Sequence, residues 1–211
     1  MNGRLFGSIL CSAALLAGAL AAAGSVSFSE QEMATLSEGK VVRQELPSSR
    51  ENGFYGGSGY IVVDAPPERT WETLVNWSKY PEVFPNTVSC REISRKDDRS
   101  LVKMKLGHRV ISVTYHLEMR LDEKSRTLSF NQVSSHPSDL DDIRGYWRLF
   151  PQKNGRTLIA YVVAFQVPMG IVNLVGEDFE NYAVRGILGV PKYVKKWIES
   201  HPAQPQQTEP E

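Results

Sequence analysis

The sequence is poor in cysteine and histidine, which removes several classes of functional site at the outset. Only two cysteines and four histidines occur among its 211 residues. Structural zinc sites and disulfide-rich folds need clusters of these residues. The patterns Cys-x-x-Cys, His-Glu-x-x-His and Gly-x-Ser-x-Gly are absent, and so is a phosphate-binding loop. The sequence therefore offers no catalytic residue and no metal ligand, and it implies no cofactor.

An excess of charge of either sign is also missing. Lysine and arginine together number 24, and aspartate and glutamate together also number 24. Proteins that bind nucleic acid usually carry a basic excess, so we expect no nucleic-acid partner. The hydrophobic fraction of 41% is that of an ordinary globular protein. A chain of this length allows one domain with short appendages.

The N-terminal segment has the features of a secretory signal. Arg4 precedes an uncharged run over residues 5–20, which is shorter than the ~20 residues that a membrane-spanning helix needs. Small residues follow at positions 21–25. Signal peptidase cuts after such residues, so we predict that residues 1–23 are a signal peptide and that the protein is periplasmic or secreted. The alternative is an uncleaved N-terminal helix that anchors the protein in a membrane.

Cys90 would be the remaining cysteine after this cleavage, so no intramolecular disulfide would form. It lies in an alternating stretch over residues 87–93, which favours a small, buried, apolar role. A catalytic thiol would need an activating histidine or similar partner, and no histidine lies in a recognisable pattern with it.

Residues 24–57 are predicted to form an N-terminal extension with a short helix and a strand. Ser29 and Glu32 have the spacing of a capping box, which predicts a helix that continues to about Ser37. Gly39 is expected to end this helix, and residues 40–46 alternate enough to form a short strand. Residues 47–59 are rich in serine and glycine, and we interpret them as a loop.

Residues 58–200 are predicted to form the main domain. A β-branched run over residues 60–64 predicts a strand, and Pro67 then opens a helix. Apolar and polar residues alternate most clearly over residues 111–121, where His116 falls on the polar face and is expected to be solvated. Hairpin-length turns separate several such segments. They predict an antiparallel sheet of about six to seven strands.

The hydrophobic period changes to that of a helix over residues 173–200. Gly189 and Pro191 predict a kink or break within this helix. Residues 201–211 are rich in proline and glutamine and are predicted to be a disordered tail. The fold class is therefore α+β, with a curved antiparallel sheet wrapped round a long C-terminal helix. One helix cannot fill such a surface, so an apolar space is expected between the two.

Two short segments resemble a known family. Residues 63–71 (Val-Asp-Ala-Pro-Pro-Glu-Arg-Thr-Trp) and 77–85 (Trp-Ser-Lys-Tyr-Pro-Glu-Val-Phe-Pro) are similar to motifs of the START-like, helix-grip superfamily. Within it, the sequence resembles the polyketide cyclase and coenzyme Q-binding START-domain branch, as does the strand-like segment over residues 145–149. The resemblance covers roughly residues 58–199 and implies the helix-grip fold.

The resemblance also implies a function, which is to hold a hydrophobic small molecule such as a lipid, an isoprenoid quinone or a polyketide-like compound. We select as candidate ligand contacts the residues expected to line the space between sheet and helix. They are Phe84, Met104, Tyr115, Leu117, Trp147, Tyr161, Val163, Phe179, Tyr182 and Ile187. The tyrosines among them offer hydroxyl groups to a polar end of the ligand.

Two alternatives stay open at this point. One is an enzyme of the cyclase or aromatase type in the same space, which would need an acid or base within reach of the ligand. The other is an envelope interaction protein whose interior is filled by side chains. We expect a monomer whose partner is the hydrophobic ligand. Residues 167–172 are expected to serve either, with the C-terminal tail, as the contact surface of the interaction protein, or as a gate at the mouth of the space that touches a membrane transiently.

Overall fold

The structure is a computed structural model, and it describes residues 27–46, 54–108, 111–168 and 183–202. Its centre is an antiparallel sheet of eight strands in the order β1-β2-β8-β7-β6-β5-β4-β3. The strands are β1 (Val42–Glu45), β2 (Phe54–Val63), β3 (Thr87–Lys96), β4 (Arg99–His108), β5 (Ile111–Asp122), β6 (Thr127–Gln132), β7 (Asp142–Pro151) and β8 (Thr157–Gln166). The predicted antiparallel α+β fold is confirmed. The sheet is larger than the six to seven strands expected, because β1 of the N-terminal extension pairs with β2.

Five α-helices surround the sheet in the described part of the chain. They are α1 (Glu30–Ser37), α2 (Pro67–Val75), α3 (Tyr80–Val83), α4 (Arg185–Leu188) and α5 (Pro191–Ser200), with 3₁₀ turns at Trp77–Lys79 and Lys153–Gly155. Helix α1 begins at the predicted capping box, since the Ser29 hydroxyl accepts a hydrogen bond from the Glu32 amide and Glu32 accepts one from the Ser29 amide. Gly39 follows α1 with a φ of 72°, a left-handed conformation that glycine adopts readily.

The two faces of the sheet are covered by different elements. We call the inner face the one on which side chains from α2 to α5 pack, and its buried cluster includes Ile61, Trp147 and Leu188. The outer face carries a smaller cluster, in which Leu36 of α1 packs with Tyr60. Residues that alternate along one strand therefore belong to two separate cores, and the inner one is by far the larger.

Residues 54–59 are part of a strand, so the loop that we predicted over residues 47–59 is wrong for this part, while residues 47–53 lie outside the described residues. From Phe54 onward this strand pairs with β8 along its whole length. The glycines serve close packing, because a Cβ atom on Gly59 would lie 2.1 Å from the carbonyl oxygen of Leu188. The backbone of α4 thus rests directly on β2, and the strand starts before the predicted domain boundary at residue 58.

The C-terminal helical region packs on the inner face, as the sequence predicts. Its described part begins at residue 183, and the irregular turn at residues 189–190 between α4 and α5 confirms the break expected from Gly189 and Pro191. Leu188, Val194 and Ile198 are all buried. The Arg69 guanidinium of α2 donates to the Ile198 carbonyl oxygen at 2.7 Å and also to that of His201, and it thereby ties the end of α5 to α2.

The predicted signal segment over residues 1–23 and most of the predicted tail lie outside the described residues, so both stay predictions. The same holds for most of the segment 167–172. Among the residues that the structure describes, no helix has the length and apolar character needed to cross a bilayer.

Candidate functional site

The structure brings most of the predicted ligand contacts together on the inner face. One buried cluster contains Phe84, Met104, Tyr115, Leu117, Trp147, Tyr161 and Val163. Ile187 of α4 is partly buried and packs against it. Phe179 and Tyr182 lie outside the described residues. The candidate contacts predicted on β4, β5, β7 and β8 thus share one surface.

Strand register explains how residues far apart in sequence become neighbours. Cys90 of β3 lies opposite Met104 of β4, and Met104 lies opposite Tyr115 of β5. Farther along the sheet, Trp147 of β7 lies opposite Tyr161 of β8. Side chains of directly paired residues project from the same face, so each set forms a row across the inner surface.

An unbroken series of aromatic contacts crosses the inner face from the helices to the sheet. The ring centroids are 5.6 Å apart for Trp77 and Tyr80 and 4.8 Å apart for Tyr80 and Phe84. Phe84 then lies 6.3 Å from Trp147, which lies 4.2 Å from Tyr161. Aromatic side chains supply large apolar contact areas with few rotatable bonds. We call this series of five buried side chains, Trp77, Tyr80, Phe84, Trp147 and Tyr161, the aromatic wall.

Sequence reasoning missed part of this wall. Trp77, Tyr80 and Phe130 all belong to the inner cluster, but none was among the candidate contacts. Phe130 could have been found from its alternation with Leu128 along β6. Trp77 and Tyr80 lie on helical segments of three and four residues. Such segments are too short for a hydrophobic period to indicate which face is buried.

The polar groups within this cluster include the hydroxyls of Tyr80, Tyr115 and Tyr161 and the thiol of Cys90. Burial raises the pKa of all three tyrosines above the ordinary value of a phenol, and neighbouring tyrosines or Cys90 add to the rise. Burial also raises the pKa of the Cys90 thiol to about 12. Each group therefore keeps its proton near neutral pH, and none is a base or an activated nucleophile there.

A cleft opens to solvent beside this cluster, between β3 and the segment that joins α2 to α3. It encloses ≈ 580 Å³, and Trp77 and Cys90 are among the residues that line it. The Trp77 indole N–H donates to Glu92 at 2.8 Å, and the Arg95 guanidinium donates to the same carboxylate. Arg95 first, and Trp77 second, hold the pKa of Glu92 below its ordinary value. The cleft thus has charged walls and reaches the inner cluster at Cys90.

His116 does not lie in solvent as we predicted, although it lies on the outer face of β5. It is 7% exposed. The connection between β6 and β7 covers it: the His116 ring lies 4.9 Å from that of His136, and its Nδ1 lies 3.0 Å from the Pro137 carbonyl oxygen. The alternation of polar and apolar residues in β5 correctly predicted the face on which His116 lies. It could not predict that the connection between β6 and β7 covers that face.

Comparison with known protein families shows which family this chain belongs to. Residues 58–189, more than half of the chain, match the family described as polyketide cyclase / dehydrase and lipid transport. The chain belongs to this family. The START-like assignment made from the short motifs is therefore confirmed. A comparison with curated protein sequences found no match.

Solved structures of several proteins share the fold at low sequence identity. The aromatase/cyclase Zhui from Streptomyces sp. R1128 is 16% identical, with a TM-score of 0.55 over 71% of this chain and 99% of that protein. A START superfamily protein from Mycobacterium smegmatis is 14% identical, with a TM-score of 0.58 over 69% of this chain and 97% of that protein.

A STAR-related lipid transfer protein from Xanthomonas axonopodis is also similar. It is 11% identical, with a TM-score of 0.52 over 74% of this chain and 97% of that fragment. At these identities, the similarity establishes the helix-grip fold of the family and not a shared ligand or reaction.

Proposed function

We propose that this family member is a binding protein that holds a hydrophobic small molecule against the inner face of its sheet. The observation that carries the proposal is the aromatic wall from Trp77 to Tyr161, because it combines a large apolar surface with a few buried polar groups. Sites for small apolar molecules have this composition. Contact with apolar area contributes about 25 cal/mol per Å² buried, so such a wall supplies affinity without any charged contact.

The chemistry of the site favours binding over catalysis. In the described chain, the buried polar residues other than tyrosine are Thr70, Thr87, Ser100, His116 and Thr157. His116 belongs to the outer face, so no imidazole from it reaches the inner cluster. A cyclase would need a group that exchanges protons near neutral pH, whereas the phenols and the thiol of the site are held protonated.

Native mass spectrometry of the purified full chain, followed by organic extraction, tests the proposal. We expect a hydrophobic compound to be recovered in a stoichiometric amount, or added 1-acetylpyrene to bind with a stoichiometry of one. Repeated recovery of empty protein that also fails to take up 1-acetylpyrene would contradict it. Wild-type protein unfolded in urea is the control for nonspecific adsorption of the probe.

We further propose that the protein acts outside the cytoplasm and is exported through residues 1–23. The support is the sequence pattern alone: Arg4, an uncharged run and small residues at positions 21–25. Fractionation of cells that produce the full chain, with N-terminal sequencing of the product, tests it. A mature protein that begins near residue 24 is the expected product, and an intact chain in the cytosolic fraction would contradict export.

A further inference from the structure

The hairpin of β3 and β4 carries unbalanced positive charge on the outer face of the sheet. Residues 87–108 include six lysines or arginines and three aspartates or glutamates, whereas the whole chain has 24 of each class. Arg91 of β3 lies directly opposite Lys103 of β4, and Lys105 follows on the same face. All three residues are exposed. Like charges in directly opposite positions destabilise a sheet, so this arrangement does not serve the stability of the fold.

The carboxylates near this hairpin do not neutralise these three cations. They pair with other arginines: Glu92 with Arg95, Asp98 with Arg120 and Glu118 with Arg99. Among the residues that the structure describes, no carboxylate forms an ion pair with Arg91, Lys103 or Lys105. The surface therefore keeps three positive charges that are available to an external anion.

Exposed apolar side chains lie beside these charges. Strand β3 is the last of the sheet, and β4 is its one partner among the described strands. Val88 and Ile93 of β3 are 57% and 50% exposed. Each lies where the register between β3 and β4 shifts, which makes it the extra residue of a bulge. They lie about 17 Å apart along the strand, with Arg91 between them.

Protection of a free sheet edge explains only part of this surface. Charged residues and bulges on an edge strand hinder its pairing with other strands. Lys103 and Lys105 belong to β4, which is paired on both sides and needs no such protection. Exposed apolar residues on β3 weaken the protection instead. Cations beside exposed apolar groups suit the interface of an anionic bilayer, whose headgroups attract the cations while its acyl region takes up the apolar groups.

The cleft described above opens at the same edge of the sheet. Arg91 lines it together with Trp77 and Cys90. At Cys90 the cleft meets the inner cluster, which is the proposed ligand surface. An apolar molecule that leaves a bilayer at β3 therefore has a short route to that surface. A nucleic acid would pair with the cations, but it would use neither the apolar side chains nor the cleft.

We propose that Val88, Arg91, Ile93, Lys103 and Lys105, which we call the docking edge, bind the surface of bilayers that contain anionic phospholipids. Lipid headgroups contact the three cations, and the two apolar side chains enter the interface. This inference goes beyond the proposed function, because it concerns where the protein docks and not what it holds.

Cosedimentation of the full chain with lipid vesicles tests the charged part of the docking edge. Vesicles of phosphatidylcholine alone are compared with vesicles of equal parts phosphatidylcholine and phosphatidylglycerol. A basic residue near an anionic surface contributes about fivefold in affinity, so Lys103→Gln/Lys105→Gln should weaken binding to the anionic vesicles at least about tenfold. The control Lys124→Gln/Lys153→Gln removes two exposed lysines of other turns and should bind within about twofold of wild type.

A second pair of variants tests the apolar part. Val88→Ser/Ile93→Ser keeps every charge and should weaken binding to the anionic vesicles about fivefold. The control Met33→Ser/Leu46→Ser changes exposed apolar residues near β1, at the opposite end of the strand order, and should bind as wild type does. Thermal unfolding first shows that each variant is folded. The affinity for 1-acetylpyrene without vesicles reports on the proposed function separately.

The outcomes distinguish docking from ligand binding. Binding to anionic vesicles that both docking-edge variants weaken, and that neither control weakens, supports the inference. It is overturned if wild type does not bind anionic vesicles, or if either docking-edge variant binds them as wild type does. Binding to duplex DNA but not to vesicles, with the same dependence on Lys103 and Lys105, also overturns it. Failure to bind 1-acetylpyrene contradicts the proposed function alone.

Discussion

The position of Cys90 in the fold changes the pKa of its thiol. Its thiol lies on the inner face next to Tyr80 and Tyr115, and burial raises its pKa to about 12. The sequence predicted a small buried side chain there, and the structure shows a half-buried one that packs against the inner cluster. The folded protein therefore holds a proton on Cys90 at pH values where the unfolded chain releases it.

This difference in proton binding predicts an alkaline loss of stability. Below pH 9 both states bind the proton, and between pH 9 and pH 12 only the folded state does. The free energy of unfolding should therefore fall as pH rises, by up to about 1.4 kcal/mol per pH unit from this group. Urea unfolding of Cys90→Ala should show a shallower decline, while Ser89→Ala should match wild type. Equal slopes in all three proteins would contradict the account.

His116 supports the loop between β6 and β7 from beneath. Its ring packs on His136 and its Nδ1 lies within hydrogen-bonding distance of the Pro137 carbonyl oxygen. We expect His116→Ala to reduce the free energy of unfolding by about 1–3 kcal/mol and to increase hydrogen exchange over residues 133–141. Glu118→Ala, on the same face but exposed, should change stability by less than about 0.5 kcal/mol. Unchanged exchange in His116→Ala would show that the loop does not depend on it.

At the scale of the elements, the contact between α4 and β2 sets the position of the C-terminal helices. It requires that β2 present no side chain at Gly59, because Leu188 lies directly above it. Lys195 adds a second tie from α5, since its ammonium group donates to the Val62 carbonyl oxygen at 3.1 Å. A side chain at Gly59 would have to move α4 away from the sheet.

Paired glycine substitutions test this contact. Gly59→Ala should destabilise the protein by at least about 2 kcal/mol, because its Cβ would meet the Leu188 carbonyl oxygen at 2.1 Å. Gly186→Ala is the control: its Cβ would meet nothing within 4 Å, and a helical alanine should stabilise by about 0.5–1 kcal/mol. Thermal unfolding compares the two. A neutral Gly59→Ala variant would mean that α4 does not rest on β2.

The sequence predicted elements well where one local pattern decides them. The capping box at Ser29 predicted α1, and the alternation in β5 predicted which side chains face inward. It failed at β2, where glycines that normally indicate a loop are needed for contact with α4. It also failed to identify Tyr80 and Trp77, because their burial depends on the packing of short turns against β3. The predictions from sequence therefore failed where segments that are distant in sequence pack against each other.

At the scale of the whole molecule, the two faces of the sheet carry two separate hydrophobic cores. The outer cluster attaches the N-terminal extension to the sheet, while the inner cluster joins the sheet to α2–α5. Neighbouring residues on one strand thus serve different cores. Met104 faces the inner cluster and is buried, whereas Lys103 faces outward and is exposed.

This pair of neighbours provides the most direct measurement of the central claim, that a hydrophobic ligand lies on the inner face. The affinity for 1-acetylpyrene is compared among wild type, Met104→Trp and Lys103→Trp, each first shown by thermal unfolding to be folded. The added indole should fill the site in Met104→Trp and weaken binding at least about tenfold, while Lys103→Trp binds as wild type does. Equal affinities in all three folded proteins would place the ligand elsewhere and contradict the account.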